Sequence, residues 1–408
     1  MRVDSVSKKI KLKNIDKAEW QKFRFDEIAY NINERVEPLD TDLEIYVGLE
    51  HLDPESIHIK RFGKREDVKG TKLRVRPGDV IFGRRRAYQR KAALAEFDGF
   101  CSAHAMVLRA NPDVIDPNLF PFFLHSDTFM HKAIDISVGS LSPTINWGTM
   151  KKQEFLLPPK EQQAQLAELL WAMNEVVERE FILKEKLEIG LDASIENEIH
   201  GLSIKNKTIK EVIAELAEEA NVVSLGSLGD FYKGKGISKA DVVENGYPCV
   251  RYGELYTRHF RIIRKFHSFI DQNLANRSSQ LKTNDVVFAG SGETITEIGQ
   301  SAAFTGDEIA FAGSDTIIFR PHEMDGGYLG YLMNSQLVRQ QLNKYGTGAT
   351  VMHIYPSELR KIKIPLIDFE KQEKIGMKLE SLAKTIALVD SKINDSKALQ
   401  KSLINQIF

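Results

Sequence analysis

The 408-residue sequence predicts an α+β fold: two pseudo-symmetric α/β domains separated by an antiparallel coiled coil of two long helices. Three observations predict it. The chain repeats itself at about half its length, each half ends in a long apolar seam, and each seam follows a proline-marked start.

The repeat comes first, because a period fixes the architecture before any single element does. Val75 to Phe82 reads VRPGDVIF and Leu281 to Phe288 reads LKTNDVVF, an offset of 206. Phe100 to Arg109 (FCSAHAMVLR) matches Phe311 to Arg320 (FAGSDTIIFR) at 211, and Gly139 to Ile145 (GSLSPTI) faces Gly346 to Ile354 (GTGATVMHI). Pro158 meets Pro365 and Gln163 meets Gln372. Each match is weak by itself, but five in order at one drifting offset describe one domain written twice with loop insertions.

Within each half, short β-branched runs (VIFG, VVFA, TIIF) lie between Gly, Pro and Asp turns and read as strands. A long helix follows. In the first half it starts after LLPPKEQQ, where two prolines block earlier helix. Leu166, Leu170, Met173 and Val177 then recur at spacings of 4 and 3, resuming at Leu187 and Leu191. The second half gives Ile375, Leu379, Leu382, Ile386, Val389 and Ile393, then Leu403. Such spacing is a coiled-coil seam. Glu180 and Lys184 interrupt the first seam, Ser396 and Gln400 the second, and polar seam residues set register or orientation. The boundaries follow: a first domain over 1–158, a helix over 159–200, a linker and second domain over 201–365, and a helix over 366–408. Closing the repeat as a pseudo-twofold makes the helices antiparallel, with Leu166 near Leu403 and Met173 nearer Ser396 than Leu382. The competing arrangement packs each helix separately on its own domain.

Composition excludes several classes. Lys and Arg total 56 against 57 for Asp and Glu, so the chain is not a strongly basic protein, although a local basic patch remains open. Cys101 and Cys249 are too few for a four-ligand zinc site and suit a reducing compartment. The start carries no apolar run of signal-peptide length, and no stretch approaches the roughly 20 apolar residues of a membrane span. The expectation is a soluble, cytoplasmic chain that makes no membrane contact. From Glu154 to Glu198 there are 11 acidic and 4 basic residues, so the first helix repels phosphate and faces solvent or a protein partner.

The densest basic cluster is Lys72 to Lys91, KLRVRPGDVIFGRRRAYQRK, with eight positive residues against Asp79. Arg84, Arg85 and Arg86 follow a predicted strand, and Tyr88 and Gln89 are interleaved before Arg90. Guanidinium groups pair bidentately with guanine or phosphate, and Gln with adenine; the bland alternative is a solvated loop with local ion pairs. The equivalent loop of the second half, Ala289 to Glu297 (AGSGETITE), holds no basic residue. There the positive charge lies in Arg251 to Lys265, RYGELYTRHFRIIRK. Two readers of different sequences would look like this.

Signals of catalysis are weak. FAGSG at Phe288 to Gly292 matches the F-x-G-x-G loop of S-adenosylmethionine-dependent methyltransferases, but no D/N-P-P-Y/F tetrapeptide occurs. Across the repeat FAGSG aligns with FGRRR, which makes it a variable loop. No G-x-x-x-x-G-K-[ST], no convincing P-D…E-x-K nuclease pattern and no H-E-x-x-H occurs. The chain reads as a non-enzyme without a metal site.

With Leu157-Pro158-Pro159-Lys160-Glu161-Gln162-Gln163 and its helix, Ile364-Pro365-Leu366 to Gln372 and its helix, the strands GDVIFGRRR and NDVVFAGSG, and the segments GSLSPTI and GTGATVMHI, the chain resembles the specificity subunit of type I restriction–modification systems. The likeness covers all but roughly the first 18 residues; the second junction, IPLIDFEKQ, departs by lacking the second proline and carrying extra residues. The resemblance implies two target-recognition domains, each reading half of an asymmetric bipartite site in double-stranded DNA. It implies two modification subunits docked on the helices, which methylate adenine with S-adenosylmethionine, and restriction/translocase subunits that add ATP- and Mg-dependent cleavage. This chain would itself bind no cofactor.

On that reading, bases are contacted in the first domain by Arg84, Arg85, Arg86, Tyr88, Gln89 and Arg90, helped by Ser142, Thr144 and Asn146. In the second they are contacted by Arg251, Tyr252, Ser291, Glu293, Thr294 and Thr350. The half-sites should differ in sequence, with centres about 10 base pairs apart if both domains approach one face. An acidic outer face including Glu168, Glu175 and Glu178 would receive the modification subunits. Two other classes stay open: a stand-alone DNA methyltransferase, and a coiled-coil scaffold carrying domains for ligands other than DNA.

Overall fold

The computed structural model describes residues 17–199, 201, 204, 206–346 and 351–408. It divides into two compact units: residues 1–181 with 391–408, and residues 182–390.

The first unit is built on a four-stranded antiparallel sheet in the order Ala29–Ile32, Met106–Ala110, Val80–Phe82, Ala92–Leu94. A second sheet runs Arg35–Val36, Lys72–Val75, Gly99–Cys101, Ile45–Val47, Gly63–Lys64, with one parallel pairing, between Ile45–Val47 and Gly99–Cys101. The ribbon Gln21–Arg24 with Glu154–Leu157 leads into the first long helix, Lys160–Ile199. Two short helices, Phe120–His125 and Asp127–Asp135, cover the first sheet, the latter capped by Ser126 accepting from the Phe129 amide.

The second unit repeats this plan. Its main sheet is Gly229–Lys233, Thr316–Pro321, Val286–Ala289, Ser301–Ala303, with Arg261–Ile262 added at the edge. Its second sheet is Ser279–Gln280, Phe311–Ala312, Tyr247–Val250, Ser268–Ile270, again with a single parallel pairing, Tyr247–Val250 with Phe311–Ala312. Asn221–Ser224 with Lys363–Leu366 forms the matching ribbon before the second long helix, Phe369–Ile407. The helix Ile209–Glu219 was not expected. Its start is nevertheless written in the sequence as a capping box, Thr208 with Glu211.

Matched residues of the repeat make matched bonds. Asp79 is fully buried and takes Arg109 in a bidentate pair (2.7 and 2.9 Å), while Asp285 takes Arg320 likewise (2.9 and 2.7 Å). Gln163 accepts from the Asp116 amide and donates to the Val114 and Pro158 carbonyls. Its counterpart Gln372 accepts from Asp325 and donates to Ile367. Each glutamine locks the first turn of its helix onto its domain, which explains why a buried polar residue survives there.

The long helices run antiparallel in both units. In the first, Asn174 meets Gln400 (3.4 Å) and Glu180 meets Lys392 (3.4 Å), so numbers rise on one helix as they fall on the other. In the second, Lys184 meets Asp390 and Glu198 meets Lys378. Leu166 and Leu403 share a core, which Met173 also packs against, whereas Leu382 packs against the core of the second unit. The helices also bury their ends in the domain cores, Leu170, Ile407 and Phe408 among Phe123, Phe129 and Phe155, and Ile195 and Leu379 among Phe288, Phe319 and Tyr331. The two arrangements weighed from the sequence are thus combined. No helix among the described residues is long and apolar enough to cross a membrane.

Candidate nucleic-acid interface

The strand Val80–Phe82 is buried throughout, and its chain emerges at Gly83 into the three arginines. Their backbone zips to the segment expected to help them. The Ile145 amide donates to Arg84 O (2.9 Å), the Arg86 amide to Pro143 O (2.7 Å), and Arg85 bridges Thr144. Val138 and Thr144 exchange amide–carbonyl bonds of 3.1 and 2.9 Å and close a hairpin with Leu141 at its exposed tip. Arg86 Nε donates to Ser142 Oγ (3.3 Å). The structure therefore brings Arg84, Arg85, Arg86, Ser142 and Thr144 into one two-stranded ribbon, with exposed Asn146 just beyond it. Left-handed backbone at Arg86 (φ 57°) and Arg90 (φ 52°) brackets the turn Ala87–Gln89 and turns Tyr88 outward; Gln89 is half-buried in that turn.

Charge pairing separates these arginines from the rest. Among the described residues of the first unit, Arg24, Arg61, Arg65, Arg74, Arg76, Arg90, Arg109 and Arg179 each have a carboxylate partner. Arg35, Arg84, Arg85 and Arg86 have none among the described residues. Arg84 reaches only the Ala103 carbonyl (3.3 Å), and its Nε is buried without a partner. A guanidinium that already holds a carboxylate must give up that pair to take a phosphate or base, and these four need not. Arg90 is different. Its side chain is 14% exposed and holds Glu55 (3.2 Å), Asp127 (2.8 Å) and the His125 carbonyl (2.8 Å), so it braces the turn from inside. Arg35 carried no signal in the sequence reading, because it lies 49 positions from Arg84 and only the sheets bring it near.

The second unit uses the same backbone frame. Ile354 donates to Gly290 O (3.0 Å), Ser291 pairs with His353 and Gly292 with Met352, as Arg84 to Arg86 pair with Pro143 to Ile145. Ser291 Oγ lies 3.1 Å from His353 Nδ1, and Tyr256 donates to Ser291 O (2.8 Å). A Cβ on Gly292 would stand 2.7 Å from the Tyr256 hydroxyl, which accounts for the glycine of FAGSG by close packing. Glu293 and Thr294 are exposed, with Thr294 donating to Glu297 (2.8 Å), and Tyr252 is 42% exposed. Arg251 folds inward: its Nε donates to Ser268 (3.1 Å) and its Nη2 to the buried Glu254 (3.3 Å). Thr350 lies outside the described residues.

Buried titratable groups nearby are tuned toward neutrality. Desolvation holds His125 down to about 4, against a smaller opposing effect of its bond to Ala92 O, and holds His259 down to about 4. Burial raises both thiols, Cys249 to about 12, so neither is a ready nucleophile.

On the first long helix, Glu168 and Glu175 are exposed, the latter paired one turn on with Arg179. Glu178, placed on the same acidic outer face, differs from these two. It is half-buried against Lys60 (2.6 Å), because the 53–60 loop packs on that side of the helix and the lysine neutralises it.

Two repeated α/β units, each carrying paired antiparallel stretches of the long helices and one zipped ribbon with unlike side chains, define the class: a duplicated α/β-domain protein with a helical spacer. The comparisons give the family. Residues 19–188 and 217–396 match the type I restriction modification DNA specificity domain, and the chain belongs to that family. It is 24% identical over 275 residues to the type I restriction enzyme MjaVIII specificity subunit of Methanocaldococcus jannaschii, covering 65% of this chain and 64% of that one. It is 29% identical over 128 residues to the EcoKI specificity subunit of Escherichia coli, covering 30% and 26%. The chain thus spans less than two thirds of the length of these curated relatives. Among solved structures, the S subunit of the type I restriction–modification system from M. genitalium superposes with a TM-score of 0.58 at 15% identity, covering 97% of each chain. A chain from a study of assembly and conformational transition in the type I R-M system gives 0.58 at 18%, covering 95% and 97%. These structures share the fold.

Proposed function

We propose that this chain is the sequence-specific DNA-recognition subunit of a type I restriction–modification complex. It reads an asymmetric bipartite site, one half-site per target-recognition domain, and positions two modification subunits for adenine methylation. S-adenosylmethionine would sit on those partners, and ATP and Mg on restriction subunits where these are present. One observation carries the reading: both units build the same ribbon on the same hydrogen bonds, but one fills it with unpaired arginines and the other with Gly-Ser-Gly, Thr and Glu. The side chains on the ribbon differ while the Asp–Arg pair and the glutamine lock beneath it stay constant, which is the pattern two readers of unlike half-sites require.

Within the first domain, Arg85, Arg86, Tyr88 and Gln89 are the base-reading candidates, with Ser142, Thr144 and Asn146 alongside. Arg90 and Arg251 support their turns from beneath. In the second domain Tyr252, Ser291, Glu293 and Thr294 are the candidates, and Thr350 keeps its place from the sequence reading. Methylome sequencing of a host carrying this gene, with and without its modification partner, tests the proposal. The expected result is one interrupted motif with two dissimilar halves, methylated on adenine only when both genes are present. Unchanged methylation, with no salt-dependent DNA binding by the purified chain, would overturn it.

A further inference from the structure

Beside the arginine ribbon lies a concavity of about 390 Å³ lined by Asn31, Asn33, Arg35, Lys72, Arg84 and Trp147, among others. It forms where the chain leaves the edge strand Ala29–Ile32 of one sheet and enters the edge strand Arg35–Val36 of the other. Among the described residues, three cations line it and no carboxylate does. The neighbouring acids are engaged: Glu34 is held by Arg76 through two bonds (2.6 and 2.9 Å), and Glu37 accepts from Thr71. Lys72 spends two donors on the Lys69 and Gly70 carbonyls and keeps a third. Arg35 is exposed with no carboxylate partner, and Arg84 brings a buried, unpartnered Nε.

Such a set, cationic, rich in amide donors and free of acid, suits a phosphate rather than a base edge. Among bases only guanine presents a guanidinium with two adjacent acceptors, whereas a phosphodiester oxygen accepts from every donor present, the Asn amides and the Lys72 ammonium included. Because Arg84 lines both this concavity and the ribbon, a strand whose bases meet Arg85 and Arg86 would run its backbone here. We infer that this concavity is a phosphodiester-backbone site, with Arg35 and Lys72 fixing the register of the duplex against the arginine ribbon. The inference rests on the DNA-recognition reading above.

The test uses the full chain with its modification subunits, the target duplex fixed by methylome sequencing, and an unrelated duplex of equal length. Affinity is measured across a salt series for the wild type and for Arg35→Gln and Arg35→Lys. Losing one phosphate contact should flatten the log–log salt slope by about 1 and weaken both duplexes roughly 3- to 10-fold at 150 mM salt. The methylated sequence should stay the same, and Arg35→Lys should recover most of the slope. Arg35 is exposed without an ion pair, so the melting curve should not move. An unchanged slope in Arg35→Gln beside a steep wild-type slope would overturn the backbone site while leaving DNA recognition standing. Altered base preference at one position would also overturn it, by making Arg35 a base reader. A wild type with no salt-dependent binding would instead remove the recognition reading itself.

Discussion

Replacing Arg109 by methionine should cost the first unit more than replacing its partner Asp79 by asparagine. Asp79 is fully buried and accepts three bonds, two from Arg109 (2.7 and 2.9 Å) and one from the Arg76 amide (2.9 Å). Arg109 is 40% exposed on its side chain. Arg109→Met therefore strands a carboxylate in the interior with a single amide donor, a loss of about 3 to 5 kcal/mol. Asp79→Asn keeps the shape and an acceptor for Arg76, and the freed guanidinium can turn to water, so about 1 to 2 kcal/mol is expected. The assay is urea unfolding followed by tryptophan fluorescence. All three tryptophans, Trp20, Trp147 and Trp171, lie in the first unit, so the signal reports that unit alone. Equal losses for the two variants, or a loss under about 1 kcal/mol for Arg109→Met, would refute the reasoning. The equivalent pair in the second unit, which holds no tryptophan and is followed by amide exchange instead, should behave alike with a narrower gap, because Arg320 is only 23% exposed.

Substituting Arg84, Arg85 and Arg86 together by alanine should abolish methylation through one half-site; a triple variant that methylates the same target at the wild-type rate would leave these arginines as a solvated loop. His125, held down to about 4 by burial, is neutral in the folded state. Its contribution is therefore complete above the unfolded pKa near 6.5 and is lost as pH falls from 6.5 toward 4, by roughly 3 kcal/mol at most. His125→Gln should flatten that part of the fluorescence-monitored stability profile, and an unchanged slope would count against it. Reversing Glu168 and Glu175 to lysine should weaken capture of the modification subunits in a pull-down while leaving tryptophan-monitored unfolding unchanged, since both face solvent; equal capture would exclude that face. Gln163→Ala should loosen the start of the first long helix, seen as faster amide exchange over its first turn, because the Asp116 amide and two carbonyls lose their partner.

The sequence by itself determined the repeat, the two long helices and their antiparallel sense. Those features rest on periodic burial and on duplicated residues, and periodicity survives in one dimension. The pairing of Asp79 with Arg109 and of Asp285 with Arg320 was latent in two matched segments of each half, as was the correspondence of Gln163 and Gln372. Tertiary structure alone decided what each charge does. Arg84, Arg85, Arg86 and Arg90 look equivalent along the chain, yet the left-handed turn at Arg86 and Arg90 swings Arg90 onto Glu55 and Asp127 and leaves the other three without a carboxylate. Arg251 is taken up by Glu254, three residues away but buried, and Glu178 by Lys60, from a loop that folds back on the helix. Arg35 joins Arg84 only because two sheets meet at their edges. An ion pair depends on distances of a few ångströms through space, and sequence separation does not record them.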